Sequence, residues 1–236
     1  MQKKIITCLA TALFCLNTTG LVLAANWQGR PGGTFYDASS LQKAGNIVEV
    51  AEKNTKLVNS RGAQSAIVRT QYDTEGKKWR VVDTQLFNSK GIKLIEKKSH
   101  GKWQKYTNGS AQDINAKFYE DCARLQGNWV QAKVIGTQAV KFFDSSNVQK
   151  TGKDGIDVWE KLVLNTESKG IKTIVSHMQY NLKTKKVTTV YNCNFDKNGV
   201  LLSSATDNDV WGADNDPYGE YIGKELNEYL KQNKKK

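Results

Sequence analysis

The chain repeats itself. Landmarks about 108 residues apart recur in the same order along most of its length. A repeat of this size constrains the fold more than any local pattern, because each copy must be one module built to the same plan. Asn26-Trp27 answers Asn128-Trp129, and Phe35-Tyr36-Asp37-Ala38-Ser39-Ser40 answers Phe142-Phe143-Asp144-Ser145-Ser146. Tyr72 answers Tyr180, Asn88-Ser89-Lys90-Gly91-Ile92 answers Asp196-Lys197-Asn198-Gly199-Val200, and Trp103 answers Trp211. A length of 236 residues accommodates two small domains. The expected division is 25–126 and 127–236, with the boundary near Leu125–Asn128.

Each half reads mainly as strand. Ala66–Tyr72 is rich in β-branched and aromatic residues, Asp73–Lys77 supplies a turn, and Trp79–Phe87 resumes the strand. Asn88–Gly91 turns again and Ile92–Glu96 follows. The second half repeats this with Ile171–Asn181, Val187–Phe195, a turn at Asp196–Gly199 and Val200–Ser203. Strands joined by tight turns pair antiparallel. One helix then closes each half. Ser110 precedes Ala111–Arg124, Asp113 is placed to complete a capping box, and Ile114, Phe118 and Cys122 recur on one face. Asp216-Pro217 opens the second helix, whose Ile222, Leu226 and Leu230 form an apolar stripe. Such a stripe has to cover something, and the neighbouring sheet is the available surface. The expected fold class is α+β: two tandem antiparallel β-sheet domains, each with a C-terminal helix packed on one sheet face.

The first residues stand apart from the repeat. Met1–Lys4 carries two positive charges, Ile5–Leu16 is mostly apolar, and Val22 and Ala24 are small residues at the spacing of a cleavage site. This reads as a signal peptide over 1–24, with cleavage after Ala25 as the near alternative. Cys8 and Cys15 leave with it, and Cys122 and Cys193 remain. Export takes them to an oxidising compartment, where an even pair usually bonds; two separate buried thiols are the other reading. No apolar run elsewhere reaches the ~18–20 residues of a membrane span.

The order of these features resembles a family. An aromatic-Asp-x-Ser start, strands reading V-E-V or D-V-W-E, a Cys-bearing strand, a Trp and a capped helix are similar to the surface-adhesin protein E family of Gram-negative bacteria. The resemblance covers nearly all of 129–232 and, more weakly, 27–124. It implies a strand cysteine bonded to a cysteine near the end of the helix. Cys193 matches the first position and Cys122 the second, but they lie in different repeats; Gln85 and Leu230 occupy the partner positions. Either each repeat lost one cysteine and the survivors do not meet, or the first helix packs on the second sheet and a Cys122–Cys193 bond bridges the repeats. Closing that loop stabilises by roughly 4 kcal/mol on a chain-entropy basis.

Catalytic signatures are sparse. There are two histidines, His100 in a basic loop and His177 beside Ser176, and no metal-binding His/Cys motif, phosphate loop or nucleophile elbow. Asp207, Asp209, Asp214 and Asp216 form an acidic loop without the spacing of a calcium-binding EF-hand. No enzyme activity and no cofactor are expected. The charge is informative: 35 Lys and Arg against 23 Asp and Glu give +12. Lys77, Lys78 and Arg80 fall at one hairpin; Lys97, Lys98 and Lys102 precede the first helix; Lys183, Lys185 and Lys186 fill the matching hairpin of the second half; Lys234–Lys236 end the chain. Trp79, Trp103 and Tyr106 are interleaved among the first two groups. These basic residues are the expected contacts for an anionic partner, and a solvated surface is the plain alternative. Export removes nucleic acid from consideration. The expected function is an exported, non-catalytic binding protein in the periplasm, at the cell surface or outside the cell. By resemblance its partners are host extracellular-matrix glycoproteins or other anionic envelope ligands. The alternative is a periplasmic envelope scaffold with no host contact.

Overall fold

A computed structural model describes residues 25–30, 34–55, 62–98, 101–133, 138–211 and 217–233. The leader at 1–24, His100, Asp214, Asp216 and Lys234–Lys236 lie outside them. The chain divides into two units, Met1–Glu120 and Asp121–Lys236. The division falls inside the first helix rather than after it, because Leu125 packs against the core of the second sheet.

In the first unit the strands are β1 (Trp27–Gly29), β2 (Phe35–Asp37), β3 (Gln42–Ala44), β4 (Ile47–Asn54), β5 (Ser65–Asp73), β6 (Lys78–Phe87), β7 (Lys93–Lys98) and β8 (Gln104–Lys105). They form one antiparallel sheet in the order β1-β2-β4-β5-β6-β7, with β3 on β4 and β8 on β6. Helix α1 (Ala111–Ala123) follows. Half of the expected capping box forms: Asp113 N–H donates to Ser110 Oγ at 3.3 Å, while the Asp113 carboxylate accepts from Gly109 N–H at 2.9 Å instead of from Ser110 N–H, which donates to Thr107 O. The helix face differs from the expected one at its first position. Of the expected stripe, Cys122 is buried and Phe118 is half-buried against Tyr36, but Ile114 is 58% exposed; Asp113, Ala116 and Tyr119 are buried in its place, with Asp121 and Ala123 beside Cys122. Alanine at 116 lets the helix approach closely, and the Tyr119 ring then packs on Tyr36 and Tyr72, with centroids 5.6 and 5.8 Å away. Aromatic area at one helix position supplies what a run of aliphatic residues would otherwise provide.

The second unit has β9 (Trp129–Gln131), β10 (Ala139–Asp144), β11 (Gln149–Thr151), β12 (Gly155–Ser168), β13 (Ile171–Asn181), β14 (Lys186–Phe195), β15 (Leu201–Thr206), β16 (Val210–Trp211) and helix α2 (Pro217–Asn233). The sheet order is β9-β10-β12-β13-β14-β15, with β11 on β12 and β16 on β14. Ile222 and Leu226 of α2 are buried with Phe143, Ile156, Val158, Tyr180 and Val187, and Leu230 packs beside them. A second cluster joins Val175, Cys193 and Phe195 to Leu125, Trp129, Trp159, Tyr191 and Leu201.

The two sheets match strand for strand. Val48 lies opposite Tyr72 and Trp79 opposite Tyr72; Ile156 lies opposite Tyr180 and Val187 opposite Tyr180. A register shift falls between Arg69 and Thr70 in one sheet and between His177 and Met178 in the other. Asp37 and Asp144 play one role: each accepts the backbone N–H of an asparagine (Asn26 at 2.9 Å, Asn128 at 3.1 Å) and the N–H of a serine two residues on, at 3.0 Å. That aspartate ties the entry of each module to its second strand. Trp103 and Trp211 are not equivalent, however. Gln104 pairs with Trp79 as Trp211 pairs with Val187, so Trp103 stands one residue earlier.

Candidate functional site

Strands β6, β7 and β8 gather most of the expected basic residues of the first unit on neighbouring strands at one edge of the sheet. Lys78 lies directly opposite Lys105, and Asp83 and Thr84 lie opposite Lys98 and Lys97. Lys97, Lys98, Lys102 and Lys105 are exposed. Among the described residues none of these four, nor Lys78, is held in an ion pair within 4.0 Å. Lys93, by contrast, is held by Glu96 at 2.6 Å, and this contact is the main cause that keeps the Glu96 carboxyl below its ordinary value. Arg80 is positioned rather than free to sweep: its Nε donates to Gln71 Oε1 at 2.8 Å, and its guanidinium sits 4.5 Å from the centroid of Trp103, which is 37% exposed. A guanidinium stacked on an exposed indole keeps its edge donors directed outward. Lysines on an edge strand also block pairing with a foreign strand. The same side chains therefore guard the edge and present positive charge there.

Two of the expected residues do different work. Lys77 and Lys185 both have positive φ, at 47° and 57°, in the hairpin turns that precede β6 and β14. Lys77 reaches Asn108 and Asp113, the latter at 3.8 Å, and Lys117 holds the same Asp113 at 2.9 Å. Lys185 reaches Glu220 at 3.0 Å, and Lys224 holds Glu220 at 2.7 Å. Each module thus locks the first turn of its helix to the sheet through an acid flanked by two lysines. An acid there also complements the helix dipole. The signal was present in the sequence as one acid-x-x-x-Lys spacing in each helix start, unused because the lysines were read only as surface charge. The Gly109 N–H, then Lys117, holds the Asp113 carboxyl below its ordinary range. Its stabilisation is present above the unfolded-state value and disappears as pH falls through the lower folded-state value. Asp113→Ala is expected to cost about 1–2 kcal/mol at neutral pH, with the gap to the parent closing in acid. Urea titrations at several pH values measure this.

Lys183 and Lys186 are exposed in the second unit's hairpin, on either side of Lys185. In that unit Cys122 and Cys193 are both buried, and the structure carries them as two thiols rather than a disulfide. Burial pushes the Cys193 thiol well up, and the neighbouring Asp121 carboxylate adds to the effect. Asp121 is itself raised by burial, opposed by hydrogen bonds from Ser204 and Tyr191, the latter at 2.9 Å. The thiolate is the reactive form. In folded, reduced protein Cys193 should therefore label with maleimide at least about tenfold more slowly than after unfolding; equal rates would contradict the burial. A thiol count on unreduced, denatured protein separates a bonded pair from two thiols.

His177 Nε2 lies 2.5 Å from Asp157 Oδ1, with its ring stacked on Trp159 at 5.0 Å. Arg124 covers the Trp159 ring at 4.0 Å. Ser176, the neighbouring residue, faces away across the pleat and bonds Asn192 at 2.5 Å, so the two do not form a nucleophile and base. Among the described residues no three His, Cys, Asp or Glu side chains come together as a metal site, and no helix is long and apolar enough to cross a membrane. No family model and no curated protein matches the chain.

Proposed function

We propose that the protein is an exported, non-catalytic binding protein that holds an anionic glycan or acidic glycoprotein against the basic edge of its first sheet. The observation that carries this reading is the placing of Lys78, Arg80, Lys97, Lys98 and Lys105 on three neighbouring strands, with Lys102 just before β8 and Arg80 held over the exposed Trp103. The basic leader at 1–24 supports export to the periplasm or beyond it. The resemblance to surface-adhesin protein E supports host matrix glycoproteins as the partner class. Lys183 and Lys186 offer a second basic surface in the other unit. A chain with two such modules raises apparent affinity for a repeating polyanion through effective concentration.

Heparin serves as the test polyanion. Affinity of the 25–236 chain should fall steeply as salt rises, because exposed charges are screened over about 8–10 Å at physiological ionic strength. An affinity that does not change with salt would remove the basic edge as the contact.

A further inference from the structure

On the helix side of the first sheet, between α1 and strands β4, β5 and β6, lies a cavity of about 260 Å³. Its walls combine an aromatic surface, Trp79 and Tyr72, with directional polar groups, Glu52, Thr70, Gln112 and Asn115. The polar groups are held in place from behind. Glu52 Oε1 accepts from Tyr119 at 2.6 Å and Arg30 at 3.2 Å, Asn115 Oδ1 accepts from Arg30, and Asn115 Nδ2 meets the Tyr72 hydroxyl at 3.4 Å. Arg30 is fixed in turn by the rings of Phe118 and Tyr119, 5.6 and 5.4 Å away. Glu52 Oε2 has, among the described residues, only a 3.5 Å contact from Tyr72, which leaves acceptor capacity on the cavity side.

We propose that this cavity binds a single neutral, polyhydroxylated ring: a pyranose unit, free or at the end of a glycan. Three properties select that class. The volume lies below the roughly 300–1,000 Å³ of pockets for drug-sized ligands, which limits the occupant to about one ring. Charge gives no strong hold on an ion: Arg30 pairs with Glu52 at 3.2 Å, and the remaining lysine in the lining, Lys53, faces no second cation that would clamp an anion. The pairing of aromatic rings with amide, hydroxyl and carboxylate groups suits a ligand with apolar C–H faces and hydroxyls around its edge. The helix of the second unit stands closer to its sheet at one point. There Gly223 of α2 comes so close to the sheet that an added Cβ would meet Leu182 at 3.2 Å and Tyr180 at 3.4 Å.

The inference goes beyond the polyanion reading and does not depend on it, since its ligand carries no charge. The test uses the 25–236 chain and a panel of methyl glycosides (glucoside, galactoside, mannoside and N-acetylglucosaminide), followed by two-dimensional amide and indole NMR. One glycoside should give saturable shifts at the Trp79 indole and the Gln112 and Asn115 side-chain amides, with a Kd unchanged by added salt. Gln112→Ala removes one hydrogen-bonding group from a helix surface and should weaken binding up to about tenfold. Val81→Trp fills the cavity and should abolish it, with Gln112→Ala covering the case in which the larger residue disturbs the sheet. No shift from any glycoside up to about 50 mM, shifts confined to the lysine edge, or binding undiminished in both variants would overturn the proposal.

Discussion

Leu226→Ala is expected to destabilise the protein by about 3 kcal/mol. Leu226 is fully buried at the centre of the second unit's core, against the sheet residues that share its cluster. The cost of such a truncation depends on how far the surroundings can close over the lost volume. Moving α2 inward has little room at Gly223, where even an added Cβ would meet Leu182 at 3.2 Å and Tyr180 at 3.4 Å. Part of the lost volume therefore stays open, and the loss falls within the usual range of about 2–5 kcal/mol. A urea midpoint that drops at unchanged slope would register this; a shift worth less than about 1 kcal/mol would mean that α2 does not pack on the sheet as described.

The second large effect is electrostatic. Glu160 is almost completely buried, with Lys141 Nζ 3.2 Å from one carboxylate oxygen and the Tyr180 hydroxyl 2.5 Å from the other. Lys141→Met keeps the length of the side chain and removes its charge, leaving the carboxylate with tyrosine alone. Breaking a fully buried pair costs about 3–5 kcal/mol; the lysine is about a quarter exposed, so the expected loss is about 2 kcal/mol. Glu160→Gln in the same chain should restore part of it, because the uncompensated charge is then gone. Strictly additive losses in the double variant would show that the two residues are not coupled.

Much of this architecture was legible in the sequence. Alternating β-branched and aromatic residues between tight turns placed β5, β6, β13 and β14 within a residue or two of their observed ends. The offset between Tyr72 and Tyr180 proved to be a register offset as well. What stayed hidden was polar and buried. Val48, Val50 and Glu52 alternate on one strand, as do Ile156, Val158 and Glu160 on another. A strict two-residue period puts the glutamate on the core side with the aliphatic residues. Glutamate is usually solvent-facing, but each of these has a tyrosine partner at the same offset. The helix face at Ile114 was misread for a related reason. Spacing by four residues found Phe118 and Cys122, which pack, but it also took in the exposed Ile114 and passed over a small alanine and a tyrosine whose hydroxyl reaches Glu52. The cavity between α1 and its sheet has no sequence pattern, because it comes from where residues far apart in the chain stop short of one another.

The central claim is that the edge formed by β6, β7 and β8 is the contact for a polyanion. Its most direct measurement is the heparin affinity of two charge-reversed chains, Lys97→Glu with Lys98→Glu in the first unit and Lys183→Glu with Lys186→Glu in the second, compared with the parent at equal salt. The first pair is predicted to lose most of the affinity and to flatten the salt dependence, and the second to lose less. Equal affinity in the Lys97→Glu, Lys98→Glu chain and the parent would contradict the account.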